Sequence, residues 1–223
     1  MRVNGKRPPA SGVLIEPEMD TVTVDGRRVV PPAAHRYVVL DKPLGVITTA
    51  KDEAARKTVL DVIGREGSAG HRLFPVGRLD GDTTGLLLLT DDGELSYRLT
   101  HPRYKVEKES SVTVAGVPEE RDLTALRRGV RLEDGMTAPA RVEVVRATRG
   151  DRDSGRADLR VIITEGRHRQ VRRMLQAVGH RVVALRRTAF GPLRVGRMKP
   201  GEWRVLAPRE VSVLRRAAGL EDG

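Results

Sequence analysis

Two stretches of this chain carry residues that can do chemistry. The first, Phe74-Pro-Val-Gly-Arg-Leu-Asp-Gly-Asp-Thr-Thr-Gly-Leu-Leu-Leu-Leu-Thr90, sets one carboxylate, Asp80, in a glycine-flanked turn just before four consecutive leucines. An aspartate in such a turn can satisfy backbone N–H groups, ligate a cation, or work on a bound substrate as acid, base or nucleophile. Asp80, Asp82, Thr84, Gly85 and Asp91 fall on positions 1, 3, 5, 6 and 12 of a calcium-loop pattern. Leu88 at the ninth position argues against calcium, because that place needs a polar group and here it lies inside an apolar run. No metal site is expected.

The second stretch is Thr164-Glu-Gly-Arg-His-Arg-Gln-Val-Arg-Arg-Met-Leu-Gln-Ala-Val-Gly-His180, a turn leading into a helix that ends at Gly179. Val171, Leu175 and Val178 form its apolar stripe. Arg167, Arg169, Arg172 and Arg173 surround that stripe, and Arg181, Arg186 and Arg187 follow, so seven arginines share the span 165–187 with one glutamate. A cation field of this density seeks phosphate; the competing reading is a solvated, salt-bridged helix. His168 and His180 lack the spacing of zinc ligands.

Both stretches need a frame. Four leucines bounded by Gly85 and by Asp91-Asp92-Gly93 read as a short strand buried on both faces, which anchors the Asp80 turn. Strands are expected near 36–40, 46–49, 86–90, 105–115, 140–147, 159–164, 182–189 and 202–206, and helices near 58–65, 93–99, 119–128, 169–178 and 208–217. Their order does not repeat as βαβ, which points to an α+β fold. Residues 1–33 read as a light segment of two strands with Asn4-Gly5 and Asp25-Gly26 turns, ending in a Pro31-Pro32-Ala33-Ala34 linker, and the main domain spans 34–223. Residues 149–156 read as a polar hairpin tip or loop.

Composition narrows the chemistry. The chain has 223 residues and a net charge of 41 − 30 = +11, and such basic chains seek polyanions, nucleic acid first. Having no cysteine excludes thiol catalysis, disulfides and cysteine-ligated zinc. Neither a signal peptide nor an apolar run long enough to span a membrane is seen, so a cytoplasmic protein is expected.

The motifs together resemble a known family. Lys42-Pro43-x-Gly45, Gly77-Arg-Leu-Asp80 with Thr84-Gly-Leu-Leu-Leu-Leu, Gly93-Glu-Leu with His101-Pro102 and Glu107-Lys108, and Glu165-Gly-Arg-x-x-Gln-Val-Arg172-Arg-Met are similar to the RsuA/RluB-type ribosomal RNA pseudouridine synthases, in order, from about residue 36 to 214. The resemblance implies a pseudouridine-synthase fold with a mixed, mainly antiparallel sheet and flanking helices. It implies that a specific uridine of ribosomal RNA, leaning to the large subunit, is isomerised without a cofactor. It also implies that residues 1–29 match the second half of an S4-type RNA-binding domain, either truncated or decayed.

Carried over by residue, the resemblance makes Asp80 the catalytic aspartate, with Arg172 as its charge-assisted partner. The uridine must leave its stack. Arg78 is the candidate to fill the vacated space, while Lys42, Arg167, Arg169, Arg173, Arg186 and Arg187 are expected to hold RNA phosphates. A monomer with no obligate protein partner is expected. One position departs from the pattern: the family's tyrosine, two residues after the Glu-Lys pair, is replaced by Ser110, which can neither stack on a base nor act as a phenol. Tyr104 is the candidate substitute. The departure keeps a second reading open, a catalytically weak or silent RNA-binding or ribosome-assembly factor. DNA binding on charge alone is a third, and leaves the Asp80 turn without a purpose.

Overall fold

In the computed structural model, residues 1–9, 12–16, 19–29, 34–50, 54–148 and 155–220 are described. The expected linker at 31–33 and most of the expected loop at 149–156 lie outside them. The chain divides into two compact units, Met1–His35 and Arg36–Gly223. In the first, β1 (Arg2–Val3), β2 (Val22–Val24) and β3 (Arg27–Val29) form a small antiparallel sheet in that order. Asn4-Gly5 and Asp25-Gly26 have positive φ at all four residues, the backbone that tight hairpin turns demand.

The second unit is α+β. Its main sheet runs in the order β10 (Arg141–Ala147), β11 (Arg156–Ile163), β7 (Lys108–Ala115), β12 (Val182–Phe190), β6 (Thr84–Thr90), β4 (Tyr37–Lys42) and β14 (Trp203–Val205). Short strands β5 (Phe74–Pro75) and β13 (Leu193–Arg194) pair with β6 and β12. Along the main order only the β12–β6 pair is parallel, with Arg186 opposite Thr84 and Arg187 opposite Gly85. A separate hairpin, β8 (Arg131–Leu132) with β9 (Gly135–Met136), precedes β10. The helices are α1 (Val59–Ser68), α2 (Gly93–Thr100), α3 (Glu120–Arg128), α4 (Gln170–Ala177) and α5 (Pro208–Ala217). None of the described helices is long and apolar enough to cross a membrane.

The leucine run behaves as its composition requires. Leu86 and Leu88 enter one core with Leu95 and Leu99 of α2 and Leu214 of α5, whereas Leu87 and Leu89 enter another with Val59 and Ile63 of α1. Alternation of side chains along a strand sends neighbours to opposite faces, and here both faces are dry. Each fully buried leucine contributes about 1.5–3 kcal/mol, so the strand leading out of the Asp80 turn is among the most firmly held segments. Helix α2 begins where Asp92 accepts from Leu95 N at 2.9 Å, and α1 begins with a capping box between Thr58 and Asp61. A third core lies under β7, β10 and β11, covered by α3 and α4.

The sheet contains one unusually close approach. A Cβ built on Gly85, whose φ is +106°, would meet the Arg187 carbonyl oxygen at 2.2 Å. Glycine is what allows β6 and β12 to pair here.

The expected strand at 46–49 does not form. Ile47 makes only an isolated bridge to Thr58. The Thr48 hydroxyl instead donates to Leu79 O at 2.7 Å and accepts from Leu79 N at 3.3 Å. β-Branched residues that would suit a strand serve here as a clasp on the Asp80 turn.

Candidate active site

The Asp80 turn is fixed along its length by backbone bonds. Val76 N donates to Leu88 O at 2.8 Å, Thr83 N to Asp80 O at 3.0 Å, and Gly45 N to Gly81 O at 2.8 Å. With the Thr48 clasp, these leave the Asp80 side chain little freedom except at its own torsions. Its carboxylate is about 30% exposed and borders a cavity of about 260 Å³. Apolar wall comes from Val76, Ile163, Val171, Leu185 and Phe190; Arg78, Lys108, Ser110, Glu165, Arg169 and Arg187 supply the polar part.

The cation beside Asp80 is Arg169, whose Nη1 lies 3.6 Å from Asp80 Oδ2. The same guanidinium donates to Asp82 through Nη1 at 3.2 Å and Nη2 at 3.0 Å. Arg169 is the N-cap of α4 and has φ of 49°, a left-handed conformation uncommon for a residue with a side chain. A neighbouring network holds this entry turn: Gln170 Oε1 accepts from Arg167 N at 2.9 Å, and Gln170 Nε2 donates to Glu165 Oε1 at 2.6 Å. Glu165 Oε1 also accepts from Ala138 N at 3.0 Å.

Arg172 was expected to face Asp80, but its Nη2 donates to the Asp82 carbonyl oxygen at 2.8 Å and lies 3.3 Å from Asp82 Oδ2. Its Nε is buried without a hydrogen-bond partner among the described residues. Asp82 thus ties α4 to the turn. Arg169's hydrogen bond foremost, with the charges of Arg172 and Arg169, holds the Asp82 carboxyl below the usual carboxylate range against the opposing effect of burial. Sequence reasoning considered Asp82 only as a calcium ligand; its place two residues after Asp80 was the available signal.

Several expected phosphate contacts are otherwise engaged. Lys42 is fully buried, with Nζ donating to Pro43 O at 3.0 Å and Val46 O at 2.7 Å. Burial pulls its pKa down to about 8, against the favourable charges of Asp80 and Asp82. Lys42 therefore braces the 43–46 loop rather than presenting charge to RNA. Arg186 makes a two-point pair with buried Asp41 at 3.0 and 2.6 Å. Arg167 clasps the β8–β9 hairpin through Asp134 and the Gly135 and Met136 carbonyls, and Arg173 pairs with Asp134. Acids from distant segments thus neutralise much of the arginine field. Arg78 is exposed, lines the cavity and makes no ion pair among the described residues.

Tyr104 is not at the cavity. It ends a 3-10 turn, Pro102–Tyr104, packs half-buried against the α2 core, and stands edge-on to Tyr97 with ring centroids 6.1 Å apart. Arg103 lies over its ring at 5.0 Å. Backbone geometry explains the miss: His101 caps the turn and sends the segment away before β7 begins. Ser110 does line the cavity, 7% exposed, opposite Val161 of β11 and Arg187 of β12. Lys108, two residues earlier in β7, is likewise a wall residue, one the sequence offered as part of the Glu107-Lys108 motif but without a role in the site. Its pKa is pushed down to about 8, by burial first and the Arg187 charge second.

Comparison with known proteins bears on this arrangement. Residues 36–177 match the family model described as RNA pseudouridylate synthase. The chain is 40% identical over 218 residues to the ribosomal large subunit pseudouridine synthase B of Bacillus subtilis, covering 98% of this chain and 86% of that one. An uncharacterized RNA pseudouridine synthase of Aquifex aeolicus is 39% identical over 222 residues, covering 99% and 86%. A crystal structure of a pseudouridylate synthase superposes with a TM-score of 0.72 at 32% identity, covering 96% of this chain and 87% of that one.

Proposed function

Since the chain belongs to the RNA pseudouridylate synthase family, we propose that it isomerises a uridine of large-subunit ribosomal RNA, with Asp80 as the catalytic carboxylate. The large-subunit assignment is supported by the names of two relatives, the ribosomal large subunit pseudouridine synthase B of Bacillus subtilis and the ribosomal large subunit pseudouridine synthase E of Vibrio parahaemolyticus, the latter 39% identical over 178 residues. The observation that carries the residue assignment is Asp80 itself, held on a pinned turn at the edge of a cavity of mixed apolar and charged lining with a guanidinium 3.6 Å away.

The reaction balances without any added atom. The N1–C1′ bond breaks, the base turns within the site, the C5–C1′ bond forms, and one proton leaves C5 while another joins N1. Asp80 initiates the first cleavage. Arg169 aims its carboxylate, and Arg172 sets the turn through Asp82. The apolar walls retain the detached uracil and keep out water that would capture the sugar. Extrusion of the uridine from its stack costs roughly a few kcal/mol, and exposed Arg78 is the residue placed to occupy the gap. The basic strands of the N-terminal unit, with Arg2, Arg27 and Arg28, are read as part of a partial S4-like RNA-binding segment.

Incubation with unmodified large-subunit ribosomal RNA, followed by mapping of pseudouridine, tests the reading. Product at one position, abolished by Asp80→Asn, is expected; absence of product from the wild-type chain, or its persistence in that variant, contradicts it. Ser110 supports a second reading, since it leaves the cavity without the family's tyrosine: an RNA-binding assembly factor with little turnover. Tight RNA binding without product would favour that reading.

A further inference from the structure

Arg187 is buried at the cavity without an anion to meet it. Only 7% of the residue is exposed. Its Nε donates to Leu86 O at 2.8 Å, neither Nη makes a hydrogen bond within the described residues, and Nη2 is buried. Among the described residues no carboxylate pairs with it, and its closest aromatic contact there is Phe190, with the guanidinium 5.0 Å from the ring centroid. Burying a charge without a partner is costly by several kcal/mol. Gly85 adds to the expense, because the strand contact that carries Arg187 into place requires a residue with no Cβ. An unpaired donor maintained at such cost points to an acceptor that arrives with the substrate.

The acceptor's chemistry follows from the surroundings. Arginine offers only donors. Phosphates of an RNA strand stay along the solvent face because the chain must continue, whereas the part of a flipped nucleotide that enters a cavity walled partly by Val76, Ile163, Leu185 and Phe190 is its base. Uracil presents two carbonyl acceptors, O2 and O4, on either side of N3–H. When the detached base turns about the axis through N3 and C6, N1 and C5 exchange places, and so do O2 and O4. A donor fixed in the wall therefore meets a carbonyl oxygen both before and after the turn. Cytosine has an amino group in place of O4, so it presents a donor to that guanidinium in one of the two states.

We propose that Arg187 reads the base: its free Nη donors bind a uracil carbonyl oxygen in the uridine and the other carbonyl in the product, which selects uracil over cytosine. The proposal rests on the isomerase reading above and names the group in that site that recognises the base. It also changes the part expected of Arg187 in the sequence, from a phosphate contact to a base contact.

The test uses a fragment of large-subunit ribosomal RNA that the wild-type protein binds, prepared with uridine, 2-thiouridine or 4-thiouridine at its uridine positions. Sulfur accepts hydrogen bonds poorly, so in wild type at least one thio substitution should weaken binding, by about tenfold for a bond to a charged donor. In Arg187→Met the three RNAs should bind alike, and Arg187→Lys, which keeps a donor, should retain part of the difference. Comparing RNAs within one variant cancels any loss of folded protein, which thermal unfolding would report separately. No thio effect in wild type overturns the proposal even if Arg187→Met does not fold. A thio effect undiminished in Arg187→Met overturns it, as does an equal loss of affinity for all three RNAs, the signature of a phosphate contact. Pseudouridine formation on the same RNA is scored independently: a thio effect lost in Arg187→Met without any product supports the base contact and sinks the isomerase reading.

Discussion

Arg169 Nη1 stands 3.6 Å from Asp80 Oδ2 while the same guanidinium is bound to Asp82, so one side chain from the start of α4 spans both acids of the turn. The bonds to Asp82 fix the guanidinium plane, and the approach to Asp80 follows from it. Arg169→Ala should therefore reduce single-turnover pseudouridine formation by about tenfold to a hundredfold, the scale of loss when a reacting group is left slightly misplaced. Asp82→Asn should also lower the rate, because it loosens Arg169 and Arg172 together; a rate equal to wild type in either variant would show that the bridge does not orient Asp80.

Ser110 occupies a wall position of the cavity, so a ring attached there enters the space where the base is held. Ser110→Tyr should raise the rate of an active enzyme by at least about tenfold, within the range that a positioned acid–base group provides. An unchanged rate with unchanged RNA affinity would show that the site works without an aromatic hydroxyl at this position.

Arg186 was expected on the RNA surface, yet it pairs with a carboxylate that has no exposed area. Arg186→Ala should cost about 3 kcal/mol of stability by stranding the Asp41 charge, read as a fall in Tm of roughly 6–12 °C. The salt dependence of RNA binding should keep its slope, because no phosphate contact has been removed. A shallower slope with unchanged Tm would reverse this assignment.

Lys108 brings a pH effect into the cavity. With its pKa lowered to about 8, it is charged at neutral pH and loses that charge as pH rises through about 8. RNA affinity should fall across that interval, and Lys108→Met should remove the step. Stability should move the other way. Between about 8, where folded Lys42 and Lys108 release their protons, and about 10.4, where an unfolded lysine does, the unfolded chain holds the extra protons. Unfolding free energy should consequently rise with pH in that window, as urea titrations at a series of pH values would report.

The parts of the fold visible in sequence are those specified locally. Leu86–Leu89 cannot be satisfied except between two cores, and Asp92 and Thr58 cap helices that begin directly after them. Asp80 and its turn stood out through the flanking glycines and leucines, and the family motifs supplied its role by resemblance. The arginine assignments differed because pairing is a long-range matter: Asp82 lies 87 residues from Arg169, and Asp41 145 residues from Arg186. Counting charges within 165–187 could not reveal either acid. Val46 to Thr49 have strand-forming composition, and only the opposing turn, with Leu79 ready to bond Thr48, decides that they clasp instead of pair.

The missing Cβ at Gly85 gives the enzyme a shared inheritance. The strand that leaves the Asp80 turn and the strand that carries Arg187 touch backbone to backbone at that residue, so a side chain there would push Asp80 and Arg187 out of register together. A change to the function of either residue alone must then come from side chains around the cavity, such as position 110 on the neighbouring strand β7, and not from the spacing of these two strands.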